Sequence, residues 1–157
     1  MSAQEKKPIH DTSHITYQSL LDGNEEFIKH ALNSDPDFFK KLAIQNPPVL
    51  WIGCADSRVP ANQITNTNPG EIFVHRNIAN MVIHTDMNML LVLDYAVNVL
   101  HVRHVIVTGH YGCGGVLAAM SNKQFGLIDN WLRHIKDVYR VHFDELNAIE
   151  DEEKRSD

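Results

Sequence analysis

Two cysteines and one histidine are the residues of this chain best suited to chemistry. Cys54 and Cys113 are its only cysteines, and His110 precedes the second in the run Gly109-His110-Tyr111-Gly112-Cys113-Gly114-Gly115. An H-x-x-C spacing makes a short bite, and the glycine inside it lets the loop curl both side chains onto one ion. Two thiolates and an imidazole suit zinc, and three protein ligands leave a fourth position open for water. Amides at the start of a helix after Gly114 would favour the Cys113 thiolate. A structural zinc normally takes four Cys or His ligands, and no third cysteine exists here. The competing reading is two buried small hydrophobes beside an ordinary hydrogen-bonded histidine. Short motifs over-predict, so the position of these residues in the fold has to decide.

Asp56 and Arg58 follow Cys54 at alternate positions. Alternation places Asp56 beside the metal, with Arg58 pairing its carboxylate. Such a carboxylate accepts a hydrogen bond from a metal-held water or ligates the ion itself, although many Asp–Arg pairs are only surface salt bridges. Two other chemistries fail on spacing. The Cys-x5-Arg loop of cysteine phosphatases would need arginine where Pro60 stands. The H-x-E and P-C-x-x-C signature of zinc deaminases is missing.

The elements that must position these residues are legible in the hydrophobic pattern. Three short apolar runs, Val49–Gly53, Glu71–His75 and His104–Thr108, read as buried strands. Between and around them lie helical patterns: Tyr17–Leu32, a short helix to Gln45 with Asp35 as cap and Pro36 as first residue, Pro60–Thr65, Asp86–Leu100 capped by Thr85, one starting at Gly114-Gly115, and a long one over Leu127–Ile149. Strands alternating with helices predict an α/β fold, a mostly parallel β-sheet flanked by α-helices, with helices at the N-terminus. Cys54 then follows the first strand, while His110 and Cys113 follow the third. All three arrive at the carboxyl rim, where ligands bind in open parallel sheets. The organisation expected is a loose arm over residues 1–14, one zinc-binding domain over 15–149 and a polar tail over 150–157.

Composition narrows the function classes. A chain of 157 residues with 43% hydrophobic and 22% charged residues is an ordinary globular domain. Its net charge of -6 offers no basic field for nucleic acid. The polar first residues lack the apolar centre of a secretory signal, and no run approaches the roughly 18 apolar residues of a membrane helix. A soluble cytoplasmic protein is expected, and in a reducing compartment two cysteines do not normally pair.

Three motifs in order, Cys54-Ala55-Asp56-Ser57-Arg58-Val59, Arg76-Asn77-Ile78-Ala79-Asn80 and the Gly109–Gly115 run, resemble the β-class carbonic anhydrases. The similarity is nearly continuous from about Asp35 to Arg140. It implies zinc-dependent, reversible hydration of carbon dioxide to bicarbonate and a proton, with one zinc per chain lowering the pKa of its water to about 7. In that scheme Asp56 orients the attacking hydroxide and Arg58 keeps Asp56 ionised. By position, Gln45, Phe73 and Tyr95 match family residues lining the carbon dioxide pocket. Phe73 and Tyr95 read equally well as core residues. His75, His84, His101 and His104 are candidates for proton relay, and equally for surface or packing roles. The family's pocket lies at a dimer interface, which implies a homodimer or tetramer whose N-terminal helices wrap the partner.

Trp51-Ile52-Gly53 before Cys54, with Arg76 later, is similar to the allosteric type II, bacterial-type members. In those, bicarbonate occupies a non-catalytic pocket at the Trp and Arg, and the Asp moves onto zinc. The resemblance therefore implies a candidate bicarbonate site at Trp51, Gly53 and Arg76, and a closed state with Asp56 as fourth ligand. Residue physics alone reads Trp51 as core. Family members are usually longer, continuing with a helix, another strand and C-terminal helices, so an uncovered strand edge and exposed apolar surface are expected here. Two readings compete with an active lyase: a catalytically silent domain for zinc or bicarbonate binding or assembly, and a hydrolase of a related small molecule such as carbon disulfide.

Overall fold

Pro47-Pro48 ends the preceding segment, and the apolar run VLWIGC that follows forms β1, Val49–Cys54. β1 is the centre of a three-stranded sheet ordered β2-β1-β3, with β2 at Ile72–Asn77 and β3 at His104–Thr108. Both pairings are parallel: Val49 lies opposite Ile72 and His104, and Gly53 opposite Arg76 and Thr108. The computed structural model describes residues 10–151, 154 and 155. The first nine residues of the expected arm, and residues 152, 153, 156 and 157 of the tail, lie outside the described residues.

The expected parallel sheet flanked by helices is present. Its strand order has a consequence for ligands. The chain leaves β1 towards one side to reach β2, then returns to the other side of β1 for β3. This reversal leaves a crevice at the carboxyl ends of β1 and β3, the place where open α/β sheets receive ligands.

Two compact units divide the chain after Ile44. The first holds α1, Tyr17–Ser34, and α2, Phe38–Lys41. Thr16 and Ser19 form a reciprocal capping box at the start of α1. Phe27, Phe38 and Phe39 meet edge to face, with ring centroids 5.1–6.4 Å apart. The Asp35-Pro36 start expected for α2 is corrected. The Asp35 carboxylate accepts the Asp37 N–H at 3.0 Å, which makes Asp35–Asp37 a turn and delays the helix to Phe38. The helix also stops at Lys41, well before Gln45.

In the second unit, α3, Ala61–Thr65, joins β1 to β2, and α4, Met87–Asp94, lies between β2 and β3. The cap of α4 is Asp86, not Thr85: the Asp86 carboxylate accepts the Asn88 N–H at 3.1 Å. The helix then widens into one π turn over Tyr95–Val99, where the Leu100 N–H reaches the Tyr95 carbonyl at 2.9 Å. α5 is Gly114–Met120. The long helix expected to Ile149 is two, α6 at Ile128–Val141 and α7 at Phe143–Asn147. His142 leaves helical geometry between them (φ −102°, ψ 21°), and its ring pairs with Glu145 at 3.0 Å in the first turn of α7.

Two apolar clusters hold this unit together. Leu50 and Ile52 of β1 pack with Met89 and Ala96 on one side, joined by Phe73. Cys54 and Cys113 pack with Ala79, Met81 and Ile83, joined by Val116 of α5 and Trp131 of α6. The second cluster contains both cysteines. No helix among the described residues is long and apolar enough to cross a membrane.

Candidate metal centre

Cys54 is the last residue of β1, and Cys113 immediately precedes α5. Both are buried and unpaired by any disulfide. Between β3 and α5, Gly112 adopts a left-handed backbone (φ 62°), which turns the H-x-x-C loop back on itself. The result is that Cys54 Sγ, Cys113 Sγ and a His110 ring nitrogen all lie within 4.8 Å of one another. The strand ends thus bring together three residues that stand far apart in sequence.

The protonation pattern suits a cation. His110 Nδ1 lies 3.1 Å from the Tyr111 carbonyl oxygen, which only accepts, so Nδ1 carries a proton and, in the neutral ring, Nε2 is the nitrogen with a free lone pair. That buried Nε2 has no hydrogen-bond partner. A buried polar atom without a partner is costly unless something else satisfies it. At Cys54, burial favours the neutral thiol. Hydrogen bonds from the Asp56 N–H first and the Ala79 N–H after it, together with the neighbouring His110 and Cys113 side chains, outweigh that and lower the thiol below its ordinary value. At Cys113 burial wins and raises it, despite the Val116 and Gly115 N–H groups aimed at the sulfur and with the nearby Cys54 adding to the rise. Two thiols this close repel as thiolates, and a divalent cation between them removes that cost. The donor set therefore fits zinc.

Asp56 is turned towards Arg58 by a fork of two hydrogen bonds, Nε to Oδ1 at 2.9 Å and Nη2 to Oδ2 at 2.7 Å, while the Arg58 N–H reaches Oδ1 at 2.9 Å. These bonds hold the Asp56 carboxyl well below the usual carboxylate range. Asp56 Oδ2 stands 3.9 Å from His110 Nε2, beside the three donors rather than among them. Arg58 Nη2 also donates to the Gly112 carbonyl at 3.3 Å, so one guanidinium ties the loop after β1 to the loop after β3.

The residues singled out for bicarbonate divide. Trp51 and Gly53 line a small cavity together with Cys54, Thr108 and His110. A Cβ at position 53 would lie 2.6 Å from Trp51 Nε1, so only glycine lets the indole fold over the strand. Arg76 does not line that cavity. Its Nε donates to the Cys54 carbonyl at 2.7 Å and its Nη2 to the Asp56 carbonyl. Of the three pocket candidates, Phe73 and Tyr95 stack at a tilt with centroids 5.9 Å apart beside the Leu50–Ile52 cluster, and Gln45 is exposed. His75 is buried and lies 3.3 Å from the Asn77 amide nitrogen, whereas His84 faces a groove against α6.

A carbonic anhydrase family profile matches residues 49–157. The chain is 49% identical over 141 residues to a carbonic anhydrase of Emericella nidulans, covering 89% of this chain and 62% of the relative. This chain belongs to the carbonic anhydrase family. A carbonic anhydrase of Candida albicans is 42% identical over 147 residues, covering 89% of this chain and 52% of the relative. Among solved structures, one of two tetrameric β-carbonic anhydrases of Sordaria macrospora superposes with a TM-score of 0.86 at 44% identity, covering 89% of this chain and 72% of that one. The likeness places the chain in the β class. The chain spans about half to three-fifths of the length of these two curated relatives.

Three further contributors come into view only in the structure: Asn77, Ala79 and Gly115. Asn77 and Ala79 sit inside a quoted motif with no role attached. Gly115 reads from the sequence only as a helix start. Their functions depend on contacts between segments, which spacing does not encode.

Proposed function

We propose that this chain catalyses the reversible hydration of carbon dioxide to bicarbonate and a proton, with one zinc ion held by Cys54, His110 and Cys113. The observation that carries this reading is the unpartnered, buried His110 Nε2 converging with two free thiols beside an Asp–Arg fork. Zinc held there would supply Lewis acidity and lower the pKa of water at its open position to about 7.

The chain's own residues supply the orientation. Asp56, kept ionised by Arg58, accepts a hydrogen bond from the attacking oxygen and so aims its remaining lone pair at the carbon. Arg58 fixes that carboxylate in the ionised, acceptor-only form and keeps it off the donor set. The cavity between Trp51, Gly53 and Thr108 offers a confined wall beside the centre. Gln45, Phe73 and Tyr95 are proposed as pocket residues by family position, completed across an assembly. Asp56 as a fourth ligand requires the fork to open. The three hydrogen bonds that close it favour the arrangement with an open fourth position.

The assembly proposed is a homodimer or tetramer. A related protein described as tetrameric and the exposed Val105, Ile106 and Val107 of β3 support it. Stopped-flow measurement of carbon dioxide hydration with a pH indicator, with zinc content determined on the same sample, tests the activity. One zinc per chain and pH-dependent turnover are expected. Full zinc with no hydration from neutral to alkaline pH would leave a silent metal-binding domain.

A further inference from the structure

Cys54 and Cys113 approach each other through a third segment that contributes no ligand, the turn after β2. Ile78–Asn80 forms a short 3-10 turn in which Ala79 and Asn80 both take left-handed backbone, φ 62° and 45°. Such geometry is uncommon for alanine and persists only when surrounding structure imposes it. Here the imposing groups are visible. The Asn77 side chain clamps the far end of the turn twice, accepting the Met81 N–H at Oδ1 (2.7 Å) and donating from Nδ2 to the Met81 carbonyl (2.7 Å). Trp131 of α6 donates its indole N–H to the Ile78 carbonyl at 2.8 Å.

The clamped turn touches both cysteine-bearing segments. Ala79 is buried and packs with Cys54 and Cys113 in one cluster. The Asn77 carbonyl accepts the Ala55 N–H at 2.8 Å, one residue past the first ligand. On the other side Gly115 lies so close that a Cβ there would stand 3.0 Å from Ala79 Cβ and 3.2 Å from Ile78 Cγ2. The absence of a side chain at 115 is what lets α5, and Cys113 before it, close onto the turn.

We infer that Asn77 is a positioning residue of the metal centre: its two-point clamp on Met81 holds Ala79 in left-handed geometry, and the turn so formed is the template against which Cys54 and Cys113 are set at zinc-ligand spacing. This rests on the metal reading above. The clamp touches no ligand, so its effect on the metal is carried wholly by the turn.

The test is zinc affinity, measured by competition with a chromophoric chelator, together with the thiolate-to-cobalt charge-transfer absorption of the Co2+-loaded chain. Asn77→Ala is expected to weaken zinc binding by about 10–100-fold, the range found when supporting partners of metal ligands are lost, and to alter the charge-transfer band. Adding Ala79→Gly should restore a large part of that loss, because glycine takes positive φ without a clamp. Unchanged affinity and band in Asn77→Ala alongside a lower melting temperature would show a role in folding alone and overturn the inference. A double variant binding no better than the single one would also overturn it. Should Asn77→Ala fail to fold, Gly115→Ala serves: weaker zinc binding supports the template, and unaltered binding overturns it. Cys113→Ser run in parallel separates the two readings. If the unaltered chain takes up no more zinc than Cys113→Ser, the metal centre itself is wrong. If it does, and Asn77→Ala matches it, only the template is wrong.

Discussion

Cys54 and the His110–Cys113 pair are carried by strands in very different surroundings. β1 is paired on both edges, and its Leu50 and Ile52 are 0% and 1% exposed. β3 pairs with β1 alone among the described residues, and its Val105, Ile106 and Val107 are 42–53% exposed. One side of the candidate metal centre therefore grows from the most tightly held strand of the sheet. The other grows from an edge strand followed by a glycine turn. The lesson concerns where rigidity is imported. On the β1 side it comes from the ladder and core. On the β3 side it comes from outside the strand, through Arg58 on the Gly112 carbonyl and through the close seat of Gly115 against Ala79. β3 is also the expected uncovered edge with apolar residues in view, the kind of surface that a further strand or a second chain would bury.

The largest expected effect tests whether both sides hold the same ion. Cys54→Ser and Cys113→Ser should each reduce zinc to background by metal analysis, despite the different strands that carry them. Retained zinc in either variant would break the shared-ion reading. Next comes the residue that stands between the two sides. Asp56→Asn should keep one zinc per chain and lower kcat for carbon dioxide hydration by about 100-fold, as loss of a preorganised electrostatic partner does. Equal loss of zinc and turnover would instead make Asp56 a ligand.

The contrast in strand burial gives a third expectation. Ile52→Ala should cost about 2–5 kcal/mol in denaturant unfolding, whereas Ile106→Thr should stay within about 0.5 kcal/mol if β3 faces water in solution. A large cost at Ile106 would show that another surface covers β3. Gly53→Ala lies between these in size. Its Cβ meets the Trp51 indole at 2.6 Å, and overpacking of this kind costs about 1–3 kcal/mol.

The smallest expected effect is a pH dependence. Asp56 is lowered from its ordinary 3.8 chiefly by hydrogen bonds from Arg58. A depressed carboxylate adds stability that is fully present above the unfolded value and is lost as pH falls through the folded one. The difference in melting temperature between the unaltered chain and Asp56→Asn should therefore be constant at neutral pH and shrink only below about 3.8. Loss of that difference already near pH 6 would place a histidine, not Asp56, in control of the fork.

Residue type and spacing were enough to single out the three donors, the three parallel strands and the rim on which Cys54, His110 and Cys113 meet. They were enough because short β-branched runs report strands and because thiols and imidazoles have few alternative partners; burial did not follow for the third run, whose Val105, Ile106 and Val107 are exposed on an edge strand rather than buried as expected. Helix limits were less legible. Asp35 and Thr85 look like caps by type, yet a carboxylate competes for whichever N–H its own backbone presents, and the turn at Asp35–Asp37 and the cap at Asp86 follow from that local contest. The break at His142 has no glycine or proline to announce it.

Only the tertiary structure decided how the three candidate donors are held. Arg76 looked like an anion-binding side chain, and its guanidinium instead spans the Cys54 and Asp56 carbonyls. Asn77, Ala79 and Gly115 are unremarkable as residue types. Their importance arises because one left-handed turn must fit between a strand end and a helix start, and steric fit between segments distant in sequence leaves no periodic trace in either.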